Sequence, residues 1–392
     1  MMSFDSAPST YSNLQALHLE IPPVSTTAAA FSTPGCRWNA DLNQMALNAF
    51  LPWLRDEFTS SAKVWMESTL PSIWEFVNGT AIALHPESAI STLRLVLIPS
   101  EGIDTDELRV PQEWVDLPSW AADYYLAVQV NPDDGWIEVW GYTSHERLKT
   151  HGVYDAGDRS YSLAEDDLIH DLTVLQVAQE FCPTETRRAA IAPIPALKLT
   201  QATHLIERLG NSTLAFPRLE IPFSMWGALL EHGGWRKRLY ERRQGMAESW
   251  SVANWLQAGV STLAEQIGWQ RTTLQFAAVH GTRSLPTAGL VRSLTIAGKS
   301  YQLQIAALGD RLTPEVSVWQ FELRSANSTE TIPAGVTLRL LTEDLQPFEN
   351  NEDVAQEAVE RLYIDVALQP GEGLVWEVQP TPEGYDREVL RF

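Results

Sequence analysis

A run of basic and aromatic residues near the middle of the chain is the clearest candidate for binding chemistry. It reads Trp-Arg-Lys-Arg-Leu-Tyr-Glu-Arg-Arg from Trp235 to Arg243. On a helix, residues four apart share a face, so Arg238 would align with Arg242. We call the five cations of this run the basic island: Arg236, Lys237, Arg238, Arg242 and Arg243. We predict that it docks an acidic protein surface, either of a partner or of the chain's own N-terminal domain. Phosphate contact and a solvated helix face are the alternatives.

Two tryptophans form a second candidate, for ligand binding. Trp136 and Trp140 lie four residues apart on a predicted strand, so their side chains point to the same face, with Glu138 between them. An exposed indole pair can stack on a carbohydrate, on an aromatic ligand or on a partner protein. The alternative is that helices cover this face of the sheet and that both side chains belong to the core.

Carboxylates form a third group. Asp155 and Asp158 lie close together in the sequence, and Glu165, Asp166 and Asp167 precede an apolar stretch. Either set could supply the two carboxyl groups that glycosidase-type chemistry needs. Helix capping is the alternative, because acidic side chains are favoured at the positive end of the helix dipole.

Motifs of the common enzyme classes are absent from the sequence. It has no GxGxxG or GxxxxGK[ST] phosphate loop, no HExxH, no GxSxG and no EF-hand pattern. His145 and His151 lie six residues apart, which fits no standard metal site on a helix. We therefore expect no metal, no cofactor and no catalytic residue.

The elements that would position these residues predict an α+β protein. Tyr124–Val130 and Trp136–Tyr142 are rich in aromatic and β-branched residues and flank the turn Asn131–Gly135, which predicts a hairpin. Apolar spacing predicts helices from about Asn39 and over Ala164–Glu180. From Leu290 onward, short apolar runs separated by turn residues predict an antiparallel β-sandwich of about six or seven strands.

These elements divide the chain into four segments. Residues 1–38 form a lead-in with a short strand, and 39–185 form a mixed α/β N-terminal domain. Residues 186–270 form a linker and helical connector that carries the basic island, and 271–392 form the β-sandwich domain. A chain of 392 residues exceeds the size at which a single core usually keeps growing.

Charge is distributed unevenly along the chain. Residues 1–185 carry 27 acidic and 8 basic side chains, a balance of −19, whereas residues 186–245 carry +6 and residues 246–392 carry −9. A net charge of −22 disfavours binding to nucleic acid or to an anionic membrane.

The sequence also indicates the compartment. The N-terminus lacks the pattern of a secretory signal, and no stretch is apolar for long enough to span a bilayer. Cys36 and Cys182 are too few for a disulfide framework. We expect a cytoplasmic protein without membrane insertion.

Three stretches carry a resemblance to a known family: Leu95–Glu101, Val110–Trp120, and the hairpin with its Gly-Tyr-Thr-Ser-His ending at His145. The chain resembles a family of cyanobacterial proteins catalogued only as a domain of unknown function. The resemblance extends to the stretch after Ala164 and, more weakly, to Gln266–Trp269 and the turn at Ala297. It implies no activity and no catalytic residue. Members are often encoded near signalling or conflict-associated proteins, which implies a regulatory or adaptor role.

We therefore predict a non-enzymatic protein that binds a protein partner, as a regulatory adaptor in a signalling, stress or conflict-type assembly. One alternative is an enzyme whose active site lies between the first domain and the connector. Another is a ligand-binding module that uses the face of Trp136 and Trp140.

Overall fold

The computed structural model describes residues 16–23, 29–84, 92–102, 105–172, 187–246, 250–274, 287–313 and 316–392. The chain divides into two units: unit 1 is Met1–Pro195 with Leu214–Gly227, and unit 2 is Ala196–Thr213 with Ala228–Phe392. The stretch 186–270, expected to form a connector, contributes residues to both units. Both helices and sheets are present, so the fold class is α+β, as predicted.

Unit 1 contains a six-stranded and a three-stranded sheet. The strands of the larger sheet are β1 (Leu17–Glu20), β2 (Lys63–Val64), β3 (Thr80–Leu84), β4 (Leu93–Ser100), β6 (Tyr124–Asn131) and β7 (Trp136–Ser144), in the order β1-β7-β6-β4-β3-β2. The smaller sheet has β5 (Glu107–Pro111), β8 (Val153–Asp155) and β9 (Ser160–Ala164), with β9 in the centre. Because β4 and β6 run parallel, the chain must cross over between them. This crossover contains β5 and the helix α3 (Gln112–Asp116).

The predicted hairpin is confirmed as β6 and β7, which pair antiparallel. The register shifts between Ala127, which pairs with Gly141, and Val128, which pairs with Val139, so Trp140 lies in a bulge. Along β7 the residues at 137 and 139 are buried, whereas Trp136 and Trp140 are partly exposed. Both tryptophans of β7 are therefore partly accessible to solvent.

The main helix of unit 1 is α1 (Pro34–Glu57), which packs against β4 and β6. It begins at Pro34 rather than near Asn39. The Thr33 side chain accepts a hydrogen bond from the Cys36 amide, and proline is favoured at the first helical position because its missing N–H is not needed there. Two shorter helices are α2 (Leu70–Trp74) and α4 (His145–His151).

The helix predicted over Ala164–Glu180 is wrong at its beginning. Ala164 ends β9, Glu165–Asp167 form one 3-10 turn, and Ile169 pairs with Tyr142 in a β-bridge. Residues Ser160–Ala164 pair with β5 as strand β9, so Ala164 does not begin a helix. Residues 173–180 lie outside the described residues.

Unit 2 contains a five-stranded and a four-stranded antiparallel sheet. The first consists, in spatial order, of β10 (Trp269–Leu274), β11 (Thr287–Ile296), β12 (Lys299–Thr313), β13 (Val316–Ser325) and β16 (Arg361–Leu368). The second consists of β15 (Glu352–Val354), β14 (Thr337–Thr342), β17 (Gly373–Gln379) and β18 (Val389–Arg391). Phe321 of the first sheet and Trp376 of the second belong to one hydrophobic core. The turn between β11 and β12 has positive φ at Ala297 and Gly298, as a two-residue hairpin turn of type I′ requires.

Helices precede the sheets of unit 2. They are α5 (Leu199–Leu209), α6 (Phe223–Glu231, which contains the division between the units), α7 (Gly233–Arg243), α8 (Val252–Ala258) and α9 (Thr262–Gln266). Within the described residues, no helix combines the length and the apolar character needed to cross a membrane.

His232 separates α6 from α7 and caps α7. Its Nδ1 accepts a hydrogen bond from the Trp235 amide, and its Nε2 donates to the carbonyl of Glu343 at 2.9 Å. The imidazole stacks on the Trp235 ring with 4.1 Å between centroids. The cap thus requires the neutral imidazole, because a protonated Nδ1 could not accept.

We predict that His232 makes unit 2 sensitive to acid. Burial lowers the pKa of His232 to about 4 from the ordinary 6.5. Between these values the unfolded state binds more protons than the folded state, so stability falls as the pH decreases through this range. The loss amounts to about 3 kcal/mol, at about 1.4 kcal/mol for each pKa unit.

Urea unfolding at about pH 7 and about pH 4.5 measures this loss. His232→Asn keeps a side-chain acceptor at the cap but has no titrating group, so its stability should fall less between the two pH values than that of the wild type. An equal fall in both proteins would contradict the role of His232.

Candidate functional site

Unit 1 has an open cleft of about 300 Å³, a volume at the lower end of the range for small-ligand sites. Residues of both sheets line it. The six-stranded sheet contributes Ile98, Pro99, Ser100, Ala127, Val128 and Trp140, and Asn78 lies in the loop before β3. The second side of the lining consists of Glu107, Leu108, Arg109, Pro111, Asp158, Ser160 and Arg218. An aromatic ring, apolar side chains and charged groups of both signs therefore meet in one open volume.

Arg109, on β5, is held by acidic side chains and a hydroxyl. Its Nη2 donates to Glu107 Oε1 at 2.8 Å, and its Nη1 donates to Asp158 Oδ2 at 2.9 Å and to Ser160 Oγ at 3.1 Å. Asp155 Oδ2 lies 3.4 Å from the same Nη1. The side chain of Arg109 nevertheless stays 42% exposed, so a ligand can reach a guanidinium whose position is already fixed.

Hydrogen bonds keep Asp158 ionised. Burial by itself would raise the pKa of Asp158, but hydrogen bonds from Ser160 Oγ and Arg109 outweigh it, and the pKa lies below the ordinary value. The hydrogen bond to Glu107 is the largest contribution that raises the pKa of Arg109, and the hydrogen bond to Asp158 adds to it. A general acid needs a raised pKa. Asp158 is therefore poorly suited to be a general acid, and its ionised carboxylate accepts hydrogen bonds.

A buried ion pair fixes the turn that carries Asp158. Glu113, at the start of α3, is fully buried, and Arg218 donates to both of its carboxylate oxygens at 2.9 and 2.6 Å. Trp226 Nε1 donates to the same carboxylate at 2.8 Å. Arg218 also donates to the carbonyls of Asp158 and Arg159, at 2.7 and 3.0 Å. The sequence does not single out Glu113 or Arg218, because neither belongs to a periodic pattern or a charge cluster.

The structure places Trp140 in the lining of the cleft and Trp136 farther along β7. Both side chains are partly exposed, so neither is a fully buried core residue. The ring of Trp136 packs against that of His18 on β1, with 5.0 Å between centroids. Among the described residues, neither indole N–H and no oxygen of the Glu138 carboxylate has a hydrogen-bond partner.

The basic island does not form the exposed strip that the sequence predicts. Arg236 is fully buried, and Lys237 and Arg243 are nearly so. Arg238 is partly exposed and Arg242 is exposed. Most of the island is thus unable to meet an external surface in the folded unit.

Acidic side chains of unit 2 pair with three cations of the basic island. Arg236 Nη2 lies 2.5 Å from Asp386 Oδ2, and Lys237 Nζ lies 3.8 Å from the same oxygen. Arg238 Nη1 lies 3.7 Å from Glu343 Oε1. A buried charge is costly unless it is paired, which explains why these contacts accompany the burial.

Glu388, just before β18, extends this buried charge network. It accepts hydrogen bonds from the indoles of Trp269 and Trp376, at 2.8 and 3.3 Å, and forms an ion pair with Arg292 at 3.1 Å. Burial lowers the pKa of Lys237, an effect that Asp386 opposes. The enclosed cavity beside Lys237 is about 10 Å³, enough for about one water molecule. This part of unit 2 has no room for a ligand.

His145, His151 and Cys36 are not part of the cleft lining. His145 is buried, with Nε2 donating to the carbonyl of Val115 and Nδ1 accepting from the amide of Ala189, and burial lowers its pKa. His151 is exposed. In the ranges that the structure covers, no group of three or more His, Cys, Asp or Glu side chains could hold a metal ion. Cys36 is half-buried and is a free cysteine, and Cys182 lies outside the described residues.

A family model described as "Protein of unknown function (DUF1822)" matches residues 23–391. The chain belongs to the DUF1822 family. No curated protein and no solved structure matches it. The resemblance to a family of unknown function is thus confirmed, and the cyanobacterial origin stays a prediction.

For this DUF1822 protein we predict that Glu113→Ala destabilises unit 1 by about 3–5 kcal/mol, because it removes one partner of a buried ion pair. Arg218 would lose its carboxylate and Trp226 its acceptor. Asp167→Ala is the matched control, since its ion pair with Arg147 is exposed and should contribute less than about 1 kcal/mol. Urea unfolding of both variants measures the difference, and equal losses would contradict the structural role of Glu113.

A second prediction concerns the basic island of the DUF1822 protein. Arg236→Met should lower the free energy of unfolding by about 3–5 kcal/mol, because it leaves Asp386 in a buried site without its closest cation. Arg242→Met, at an exposed position, should change it by no more than about 0.5 kcal/mol. Denaturant titration compares the two variants. If the basic island were instead an exposed surface for an external partner, both substitutions would change the free energy of unfolding by similarly small amounts.

Proposed function

We propose that this DUF1822 protein binds a small ligand in the cleft of unit 1, without catalysis. One observation carries the proposal: Trp140, Arg109, Asp158 and Ser160 meet in an open volume of about 300 Å³. This is the ligand-binding alternative that the sequence suggested for Trp136 and Trp140, and Trp140 lies in the lining of the cleft.

Preorganisation supports binding in this cleft. Arg109 is already held by Glu107, Asp158 and Ser160, so a ligand would not have to order a long, flexible side chain when it binds. Each side chain that is immobilised only on binding costs about 0.5–1.5 kcal/mol. The lining thus offers hydrogen-bonding groups in fixed positions beside an aromatic surface, which is typical of small-ligand sites.

The lowered pKa of Asp158 argues against a role as a general acid. At neutral pH this carboxylate is ionised and serves as an acceptor. Its neighbour Ser160 donates to it at 2.6 Å and accepts from Arg109 at 3.1 Å, so this hydroxyl belongs to the same hydrogen-bond network.

Docking of a protein partner, as a cytoplasmic regulatory adaptor, is the second candidate function. Exposed apolar side chains of unit 1 favour it, rather than the basic island. Val153, on the edge strand β8, is 68% exposed and Phe216 is 67% exposed. Arg159 donates to carbonyls of the stretch that follows Phe216, at Arg218 and Ile221, and thereby holds that stretch against the turn between β8 and β9. Contiguous exposed apolar surface is a common feature of protein-binding sites.

We predict that filling the cleft abolishes ligand binding. Ser100 is exposed and lies in the lining, so Ser100→Trp should block the cleft without disturbing the core. Asp133→Trp, in the exposed hairpin turn, is the matched control. Ligand-observed NMR with a diverse library of small molecules should yield ligands that bind the wild type and the Asp133→Trp variant and lose binding to the Ser100→Trp variant.

Two results would overturn the proposal. One is a set of ligands whose binding is the same in all three proteins, because the site would then lie elsewhere. The other is a library without any ligand for the wild type at concentrations of about 1 mM, which corresponds to about −4 kcal/mol of binding free energy.

A further inference from the structure

We infer that the ligand of the cleft is a neutral oligosaccharide that extends along β7 from Trp140 to Trp136. The inference rests on the proposed function and specifies the class of ligand. Three properties of the site carry it: balanced charge, intermixed hydrogen-bond donors and acceptors, and two partly exposed indoles on one strand.

The charges in the lining are already compensated. Arg109 is paired with Glu107 and Asp158, and Arg218 with Glu113. An anionic ligand would have to displace a carboxylate from Arg109 and would face the remaining carboxylates. A cationic ligand would meet the two guanidinium groups. Desolvation of an ionic ligand without a matching opposite charge is unfavourable, so the site favours a neutral, polar one.

Hydrogen-bond donors and acceptors alternate over short distances in the lining. The hydroxyls of Ser100 and Ser160, the guanidinium of Arg109 and the carboxylates of Glu107 and Asp158 all lie there. A sugar hydroxyl donates one hydrogen bond and accepts others, so neighbouring hydroxyls can satisfy such a mixed set. A ligand with acceptors alone, such as a phosphate or a carboxylate, cannot.

The apolar part of the lining is an aromatic surface that continues beyond the cleft. Trp140 lies in the cleft, and Trp136 and Glu138, both partly exposed, precede it on β7, with His18 packed against Trp136. The three regular strand steps from Trp136 to Val139 span about 10 Å, and the bulge at Trp140 follows, so the two tryptophans lie farther apart along β7 than the length of one sugar ring. A pyranose ring presents a flat C–H face to an indole and keeps its hydroxyls at the edge. A chain of several rings would therefore contact both tryptophans, with Glu138 accepting hydroxyls between them.

The test is isothermal titration calorimetry of the full-length protein. Neutral mono- and tetrasaccharides of hexoses and N-acetylhexosamines are titrated, after an array of immobilised neutral glycans has selected the ring type. A tetrasaccharide of uronic acids and a set of nucleosides serve as the anionic and the aromatic comparison. We expect the neutral tetrasaccharide to bind at least about tenfold more tightly than the monosaccharide of the same ring.

Three tryptophan variants locate the binding. Trp140→Ala should lose about tenfold or more in affinity for both sugar lengths. Trp136→Ala should lose only the gain in affinity that comes with length. Trp38→Ala, which removes a 40% exposed indole of α1 that is outside the cleft lining, should leave both affinities unchanged.

The outcomes separate this inference from the function on which it rests. If ligands sensitive to Ser100→Trp exist but the array and the neutral sugars show no binding at about 10 mM, the oligosaccharide is excluded and the cleft stands. Tighter binding of the uronic acid or of a nucleoside, or a tetrasaccharide affinity unaffected by Trp136→Ala, also overturns the inference. If no ligand of any class responds to Ser100→Trp, both proposals fail.

Discussion

In unit 1, Arg218 and Glu113 form a buried ion pair between residues 105 positions apart in the sequence. A fully buried carboxylate requires partners, and Glu113 finds them in the guanidinium of Arg218 and the indole of Trp226. The remaining donors of Arg218 hold the carbonyls of Asp158 and Arg159. The position of Asp158 sets that of Arg109, so the polar side of the cleft depends on this one pair.

The same constraint governs unit 2. Arg236 and Asp386 are 150 positions apart and meet in a fully buried contact. Around them, Glu388 binds two indoles and Arg292, and the carboxylate of Glu343 binds Arg391. A chain with a net charge of −22 thus uses much of its basic island to compensate its own buried carboxylates. This leaves the partly open sheet face of unit 1, rather than the island, as the surface with groups available to a ligand.

Features set by neighbouring residues could be predicted. The hairpin of Tyr124–Asn131 and Trp136–Ser144 forms around its Asn-Pro-Asp-Asp-Gly turn, and the turn at Ala297 and Gly298 joins two strands. Trp136 and Glu138 share a face because side chains alternate along a strand, whereas the bulge at Trp140 interrupts this alternation and could not be predicted. The start of α1 is also set by neighbouring residues, since Thr33 and Pro34 are capping residues. The prediction from apolar spacing placed this start about five residues too late, near Asn39. The β-sandwich layout of the last segment stays a prediction.

By itself, the sequence determined the α+β class, the hairpin and the family, because turn chemistry, strand alternation and characteristic residue runs act over a few positions. The tertiary structure decided that Arg236 is buried, that Ala164 ends a strand instead of beginning a helix, and that Glu113 and Arg218 meet. Each of these depends on a partner far away along the chain: Asp386 for Arg236, β5 for β9, and Arg218 for Glu113. Local spacing carries no information about such partners, since desolvation and pairing are set only when the chain has folded.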